Sequence, residues 1–218
     1  KDQLSQVEDD ARRADAVSRE NDRLRALLEF MELNPEYELA EGYIISWSSN
    51  DWSNTFTINR GEDANIAPGM CAITANGELV GLVDEVGPNY SVIKSVLDSS
   101  LEISATIASS GYNGMVKGGY ASGMDGLLRM DYLPSSATIR NNDQVVTTGS
   151  TVYPRDLVLG YVIDAGFDAT GVAKYALLEP AANISSLEQI FIITAYNTDA
   201  EAAAAAAAPT EAGEAPAN

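Results

Sequence analysis

The sequence predicts a mainly β protein: an N-terminal coiled-coil α-helix, two small related β-barrels and a disordered C-terminal tail. Three observations carry this prediction. Helical spacing stops abruptly at Asn34-Pro35, the residues beyond repeat a strand–turn–strand pattern about 73 residues apart, and the last twenty residues are mostly Ala, Glu and Pro. The expected division is a helix over 1–34, a first barrel region over 35–110, a second over 111–198 and a tail over 199–218.

In the helix, Leu4, Val7, Ala11 and Ala14 follow the 3-4-3 spacing of a heptad seam, and Val17, Asn21, Leu24, Leu28 and Met31 resume it. Between Ala14 and Val17 the step is three residues where four would continue the heptad, a stammer that locally overwinds a supercoil. Asn21 on the seam is the kind of polar residue that fixes register and favours two strands. Val17, Asn21, Leu24, Leu28 and Met31 are therefore the expected dimerisation residues; the alternative is a single helix lying on its own domain. Pro35 cannot continue the helix and disfavours helical geometry at Asn34.

From Tyr43 the period shortens. Tyr43–Trp47 and Thr55–Ile58 read as strands, with turns at Asn59-Arg60-Gly61 and Ala67-Pro68-Gly69. Ile66–Thr74 followed by Val80-Gly81-Leu82-Val83 returns as Ile139–Thr147 followed by Leu159-Gly160-Tyr161-Val162. Further apolar strands follow at Val92–Leu97 and Ala173–Leu178, and then Ser-Ser-Leu-Glu at Ser99–Glu102 and Ser185–Glu188, each before a final strand. Two copies of one unit predict two related barrels. The glycine-rich stretch from Gly111 to Gly126 joins them. The pattern leaves open whether the barrels are consecutive or one is inserted in the other. Beyond 198, Ala202–Ala208 has no apolar periodicity to hold it to anything.

Composition excludes several functions. The chain has 218 residues and a net charge of −19, from 13 basic and 32 acidic residues. Six of the bases lie in the first 33 residues, so the barrels and tail are strongly acidic. Such a surface repels nucleic-acid phosphates and anionic lipid headgroups, and favours a basic partner. No apolar stretch approaches the ~20 residues of a membrane span.

Catalytic chemistry lacks its parts. There is no histidine, which removes imidazole-based nucleophile arrangements and metal sites. Cys71, the single cysteine, sits in an apolar run and reads as a buried inert thiol. Ser91-Val92-Ile93-Lys94 matches an S-x-x-K pattern, but in a strand residues three apart point to opposite faces. Asp84-Glu85 and Glu62-Asp63 read as solvated charge. No catalytic residue, cofactor or metal ligand is expected.

The segment Ile45–Gly61, with Trp47, Trp52, Phe56 and Arg60-Gly61, closely resembles the opening β segment of the MreC family of bacterial rod-shape-determining proteins. Val80-Gly81-Leu82-Val83, Asn89-Tyr90-Ser91, Asn113-Gly114, Met130–Pro134, Val145–Gly149, Tyr153-Pro154 and Leu159-Gly160 continue the resemblance in order. Glu20-Asn21 leading into Leu24–Leu28 is similar to the end of that family's coiled coil. Departures fall at Ser150-Thr151 and Arg155-Asp156, where the family commonly places glycines, so the turn around Tyr153 is expected to differ.

The resemblance implies a non-catalytic scaffold of the cell-wall elongation machinery that helps set rod cell shape, organising or activating peptidoglycan synthases. It implies a homodimer at the cell membrane, held by one transmembrane anchor upstream, with this region on the extracytoplasmic side. The implied partners are the class B penicillin-binding transpeptidase, MreD and, indirectly, MreB; arrays of further copies are also implied. Separately from the resemblance, the aromatic segment Trp47–Phe56 is a candidate contact region, because aromatics are enriched at interface hot spots; the alternative is that Trp47 and Phe56 are core and only Trp52 is exposed. The alternative function is an adaptor subunit of an export assembly, which would need a returning antiparallel helix.

Overall fold

The computed structural model describes residues 2–49, 54–119, 126–150, 153–168 and 171–196. The tail expected over 199–218 lies outside them. The helix α1 (Asp2–Leu33) is continuous and ends one residue before Asn34. Asn34 closes it: its backbone N–H and its side-chain amide both donate to the Phe30 carbonyl, at 3.1 and 2.8 Å.

Twelve strands follow among the described residues. They are β1 (Glu38–Ser49), β2 (Asn54–Ile58), β3 (Cys71–Ile73), β4 (Leu79–Val86), β5 (Ser91–Ser95) and β6 (Glu102–Ile107) in the first half. The second half holds β7 (Asn113–Gly118), β8 (Leu128–Pro134), β9 (Gln144–Thr148), β10 (Arg155–Phe167), β11 (Ala173–Pro180) and β12 (Gln189–Ala195). They close into two six-stranded barrels, β1-β12-β3-β4-β5-β2 and β7-β6-β9-β10-β11-β8, with every ladder antiparallel.

The two orders are the same walk. β1 to β5 occupy in one barrel the places that β7 to β11 occupy in the other. The sixth strands are exchanged: β6 ends the first half but closes the second barrel, and β12 ends the second half but closes the first. The second barrel is therefore inserted whole between β5 and β12. A division at residue 110 is corrected on two counts, since it would take β6 from its barrel and assign β12 to the wrong one. The Gly111–Gly126 stretch is likewise more than a connection, because β7 lies inside it. Local alternation announces a strand without saying which barrel it closes.

The repeated glycines show why the two halves fold alike. A Cβ on Gly81 would lie 2.2 Å from the Lys94 carbonyl oxygen on β5. One on Gly160 would lie 2.2 Å from the Glu179 carbonyl oxygen on β11. At both places one strand approaches its neighbour too closely for any side chain. Side chains fill both interiors: Phe56, Ile58, Ile73, Leu79 and Ile93 in the first barrel, and Ile103, Ile107, Leu128, Met130 and Leu159 in the second, all fully buried. Barrels of this size are packed cores rather than ligand-holding lumens.

Where the chain passes from the first barrel to the second, Asp98 pins the turn. Its buried carboxylate accepts from the backbone N–H of Asn54 at 2.9 Å and from the N–H and hydroxyl of Ser100 at 2.8 and 2.5 Å. Burial works to raise its pKa, but these bonds and the nearby Lys94 charge outweigh it and hold the carboxyl below its ordinary value.

A second locus ties the helix to both barrels. Phe30, Tyr37 and Tyr196 form a ring series with centroids 5.9 and 6.3 Å apart, and the Tyr196 hydroxyl donates to the Ser150 carbonyl of the second barrel at 2.9 Å. Burial, with the carboxylates of Glu36 and Asp156, pushes the Tyr37 phenol up to about 12. Beside this series, Glu78 forms a parallel bridge to Val158 on β10.

Candidate protein-interaction site

The helix carries two distinct apolar stripes. Arg23, Ala26, Leu27 and Phe30 are partly buried, and the three apolar members pack on the barrel core. Val17, Leu24, Leu28 and Met31 instead stand 69%, 47%, 61% and 41% exposed, with Asn21 exposed among them. At about 100° per residue the centres of the two stripes are separated by roughly 130° around the helix axis. The helix end can thus stay docked on its own barrel while the Val17–Met31 stripe remains open to another surface. A lone helix with such a stripe gains little stability from propensity; it is stabilised by covering the stripe.

The β1–β2 hairpin outruns its barrel. β1 pairs with β12 from Glu38 to Tyr43 and with β2 from Ile44 to Ser49. The last tie to the β12 side is the Ile44 N–H donating to the Glu188 carbonyl at 2.9 Å. A register shift between Ile44 and Ser46 places Ile45 in a bulge, where it is 62% exposed. Trp47 pairs with Phe56, ring centroids 4.9 Å apart.

Phe56 is buried as expected, but the placement of Trp47 in the core is corrected: it is 46% exposed. Its register puts it on the inward face, yet among the described residues β1 has no paired neighbour on the β12 side at that level, so the indole lies at the barrel rim. Trp52, the expected contact residue, lies outside the described residues. Tyr43 completes the exposed aromatic run. Its phenol bonds the Glu41 carboxylate, which raises the Tyr43 pKa, and the same carboxylate accepts from the Gln189 amide.

The groups with a catalytic appearance have structural partners. Ser91 is buried and donates to the Arg60 carbonyl at 2.8 Å, while Lys94 points outward and pairs with Asp84 at 3.1 Å. Burial drives the Cys71 thiol pKa up, away from reactivity. Among the described residues, no three acidic or cysteine side chains cluster as a metal site would require.

The turn around Tyr153 is closed by Ser150: Ser150 N–H donates to the Tyr153 carbonyl at 2.8 Å, and the Ser150 hydroxyl accepts from Tyr153 N–H at 3.2 Å. The Tyr153 hydroxyl in turn accepts from Ser104 N–H on β6 at 2.9 Å. Asp156 sits in the left-handed region at φ 66°, where glycine is the usual residue.

The sequence model of the family described as "Rod shape-determining protein MreC, barrel core" matches residues 44–194, which takes in β2 to β11 entire, the second half of β1 and most of β12. The chain belongs to the MreC family. It is 26% identical over 185 residues to the cell shape-determining protein MreC of Bacillus subtilis (strain 168), covering 81% of this chain and 64% of that protein. It is 23% identical over 194 residues to MreC of Listeria monocytogenes, covering 88% and 64%. The chain thus spans just under two thirds of the length of these relatives. A solved MreC structure superposes with a TM-score of 0.71 at 21% identity, covering 82% of this chain and 99% of the other. A complex between Penicillin-Binding Protein (PBP2) and MreC from Helicobacter pylori aligns with a TM-score of 0.57 at 15% identity, covering 72% and 98%. At these identities the structural likenesses speak for the MreC fold.

Proposed function

We propose that this chain is a non-catalytic, extracytoplasmic scaffold of the cell-wall elongation machinery. It helps set rod shape by pairing through α1 and presenting its barrels to peptidoglycan synthases. The observation that carries this reading is the open Val17–Met31 stripe beside a separately docked face. A second copy covers the stripe with the same residues, and the barrels of both copies are then displayed side by side. Two modest sites displayed together bind a dimeric or clustered partner far more tightly than either alone.

The proposed partners are the class B penicillin-binding transpeptidase, MreD and, indirectly, MreB. The Helicobacter pylori complex supports the first, since an MreC of the same fold is held there by a penicillin-binding protein. Activation follows if the scaffold binds the active arrangement of the transpeptidase better than the inactive one. A single-pass anchor upstream of residue 1 would hold the assembly at the membrane.

The test is binding of this chain, and of a version lacking residues 1–33, to the extracytoplasmic part of the cognate transpeptidase. Saturable binding that weakens in a bivalent format when the helix is removed supports the scaffold. No binding by either form at concentrations well above those of a modest complex overturns it.

A further inference from the structure

We propose that the overhang of β1, residues 45–49, receives an extended, basic segment of a partner protein by strand addition. Along these residues β1 is paired with β2 on one side, and no described strand pairs with it on the other. The first barrel is a closed sheet below this level, so this is a local strand-shaped gap in its rim. An open edge offers a row of backbone N–H and C=O groups, which an extended chain satisfies. At about 3.4 Å per residue the gap takes a segment of about five residues.

Comparison with β10 sharpens the assignment. β10 also outruns its neighbour, since its last tie to the β9 side is at Val162. That overhang carries Asp164, with Asp168 just beyond it, and the Lys174 ammonium lies 5.2 Å from the Phe167 ring centroid. Charges of this kind blunt an edge against pairing. The β1 overhang, Ile45-Ser46-Trp47-Ser48-Ser49, has no charge and no proline, and it exposes Ile45 and Trp47. A bare, uncharged edge with exposed apolar side chains invites uncontrolled pairing unless something covers it.

Charge selects the occupant. β1 and β2 contain no Lys or Arg, Glu38 and Glu41 lie on the same strand, and Glu188 stands exposed where the β12 ladder stops. A second copy would bring another net charge of −19, so self-pairing of this edge is opposed and a basic segment is favoured.

The test is amide hydrogen exchange of the full chain, alone and with three probes: a short peptide alternating valine and lysine, its valine–glutamate counterpart, and the transpeptidase ectodomain. Only the last rests on the scaffold reading. The expected result is slowed exchange at 45–49, and not at Ile163–Phe167, with the lysine peptide and with the ectodomain. Ile45→Lys and Trp47→Lys should each weaken binding about tenfold. Because Trp47 packs on Phe56, Ile45→Lys with unchanged melting is the decisive variant. Equal protection by the glutamate peptide overturns the charge assignment. Ectodomain binding that leaves 45–49 unprotected overturns strand addition while the scaffold stands. Protection by the lysine peptide with no ectodomain binding supports the edge and removes its proposed partner. Binding by none of the probes overturns both.

Discussion

The ring of Phe30 fills the space that a side chain on Gly77 would need: a Cβ there would lie 2.4 Å from Phe30 Cε2. Gly77 also has φ 78°, so the β3–β4 turn accepts the helix only while this residue has no side chain. Gly77→Ala is expected to cost about 1–2 kcal/mol from the left-handed backbone alone. The ring contact should be lost besides. Amide exchange over residues 26–33 should quicken while the second barrel keeps its protection; unchanged exchange there would show that the helix is held elsewhere.

Leu24 and Leu28 expose their side chains on the stripe that the docked face leaves free. Covering a leucine contributes about 1.5–3 kcal/mol. Leu24→Asp with Leu28→Asp should convert a dimer to a monomer by sedimentation, leaving the melting of the barrels unmoved. Asn21→Leu should act in the opposite direction, strengthening association while relaxing its two-chain register. A wild-type chain that is monomeric at every concentration would remove the basis for both.

Asp98→Ala strands the Asn54 and Ser100 donors in a buried turn, at a cost of about 1–3 kcal/mol. The pH dependence follows from the lowered pKa. A carboxyl whose folded pKa lies below its unfolded value of about 3.9 stabilises above that pH, and the contribution fades as pH falls through the folded value. Melting curves of the wild type and Asp98→Asn should therefore differ most above about pH 4 and converge in stronger acid. A gap that stays constant across that range would mean the carboxylate is not the source.

Asp156 holds a left-handed backbone between the turn at Tyr153 and the rest of β10. Asp156→Gly relieves a backbone strain of about 1–2 kcal/mol and adds glycine's entropic cost of about 0.5–1 kcal/mol, so thermal melting should rise by the equivalent of about 0.5–1 kcal/mol. A fall would show that the Asp156 side chain makes a contact worth more than the strain.

Much of this fold is legible residue by residue. Pro35 ends the helix for a local reason, and the repeated segments fall where β3 to β5 and β9 to β11 form. What escapes is non-local. The segment at Glu102–Ile107 reads as a strand, but its partners β7 and β9 lie beyond the boundary that local pattern suggests. Trp47 reads as core because alternation points it inward, and only the early end of the β12 ladder at Tyr43 leaves it at a rim. The exposed helix stripe was readable from heptad spacing. The docked stripe was not, since Phe30 depends on a glycine more than forty residues away.

The exchange of sixth strands also sets an order of events. As the chain leaves the ribosome, its first barrel waits in five pieces until β12, the last described strand, arrives. The second barrel has β6 to β11 in hand earlier, so the unit begun second is the first able to finish. Until then β1 and β3 present raw flanks, and truncating the chain before Gln189 should leave a product that is not merely shorter but adhesive.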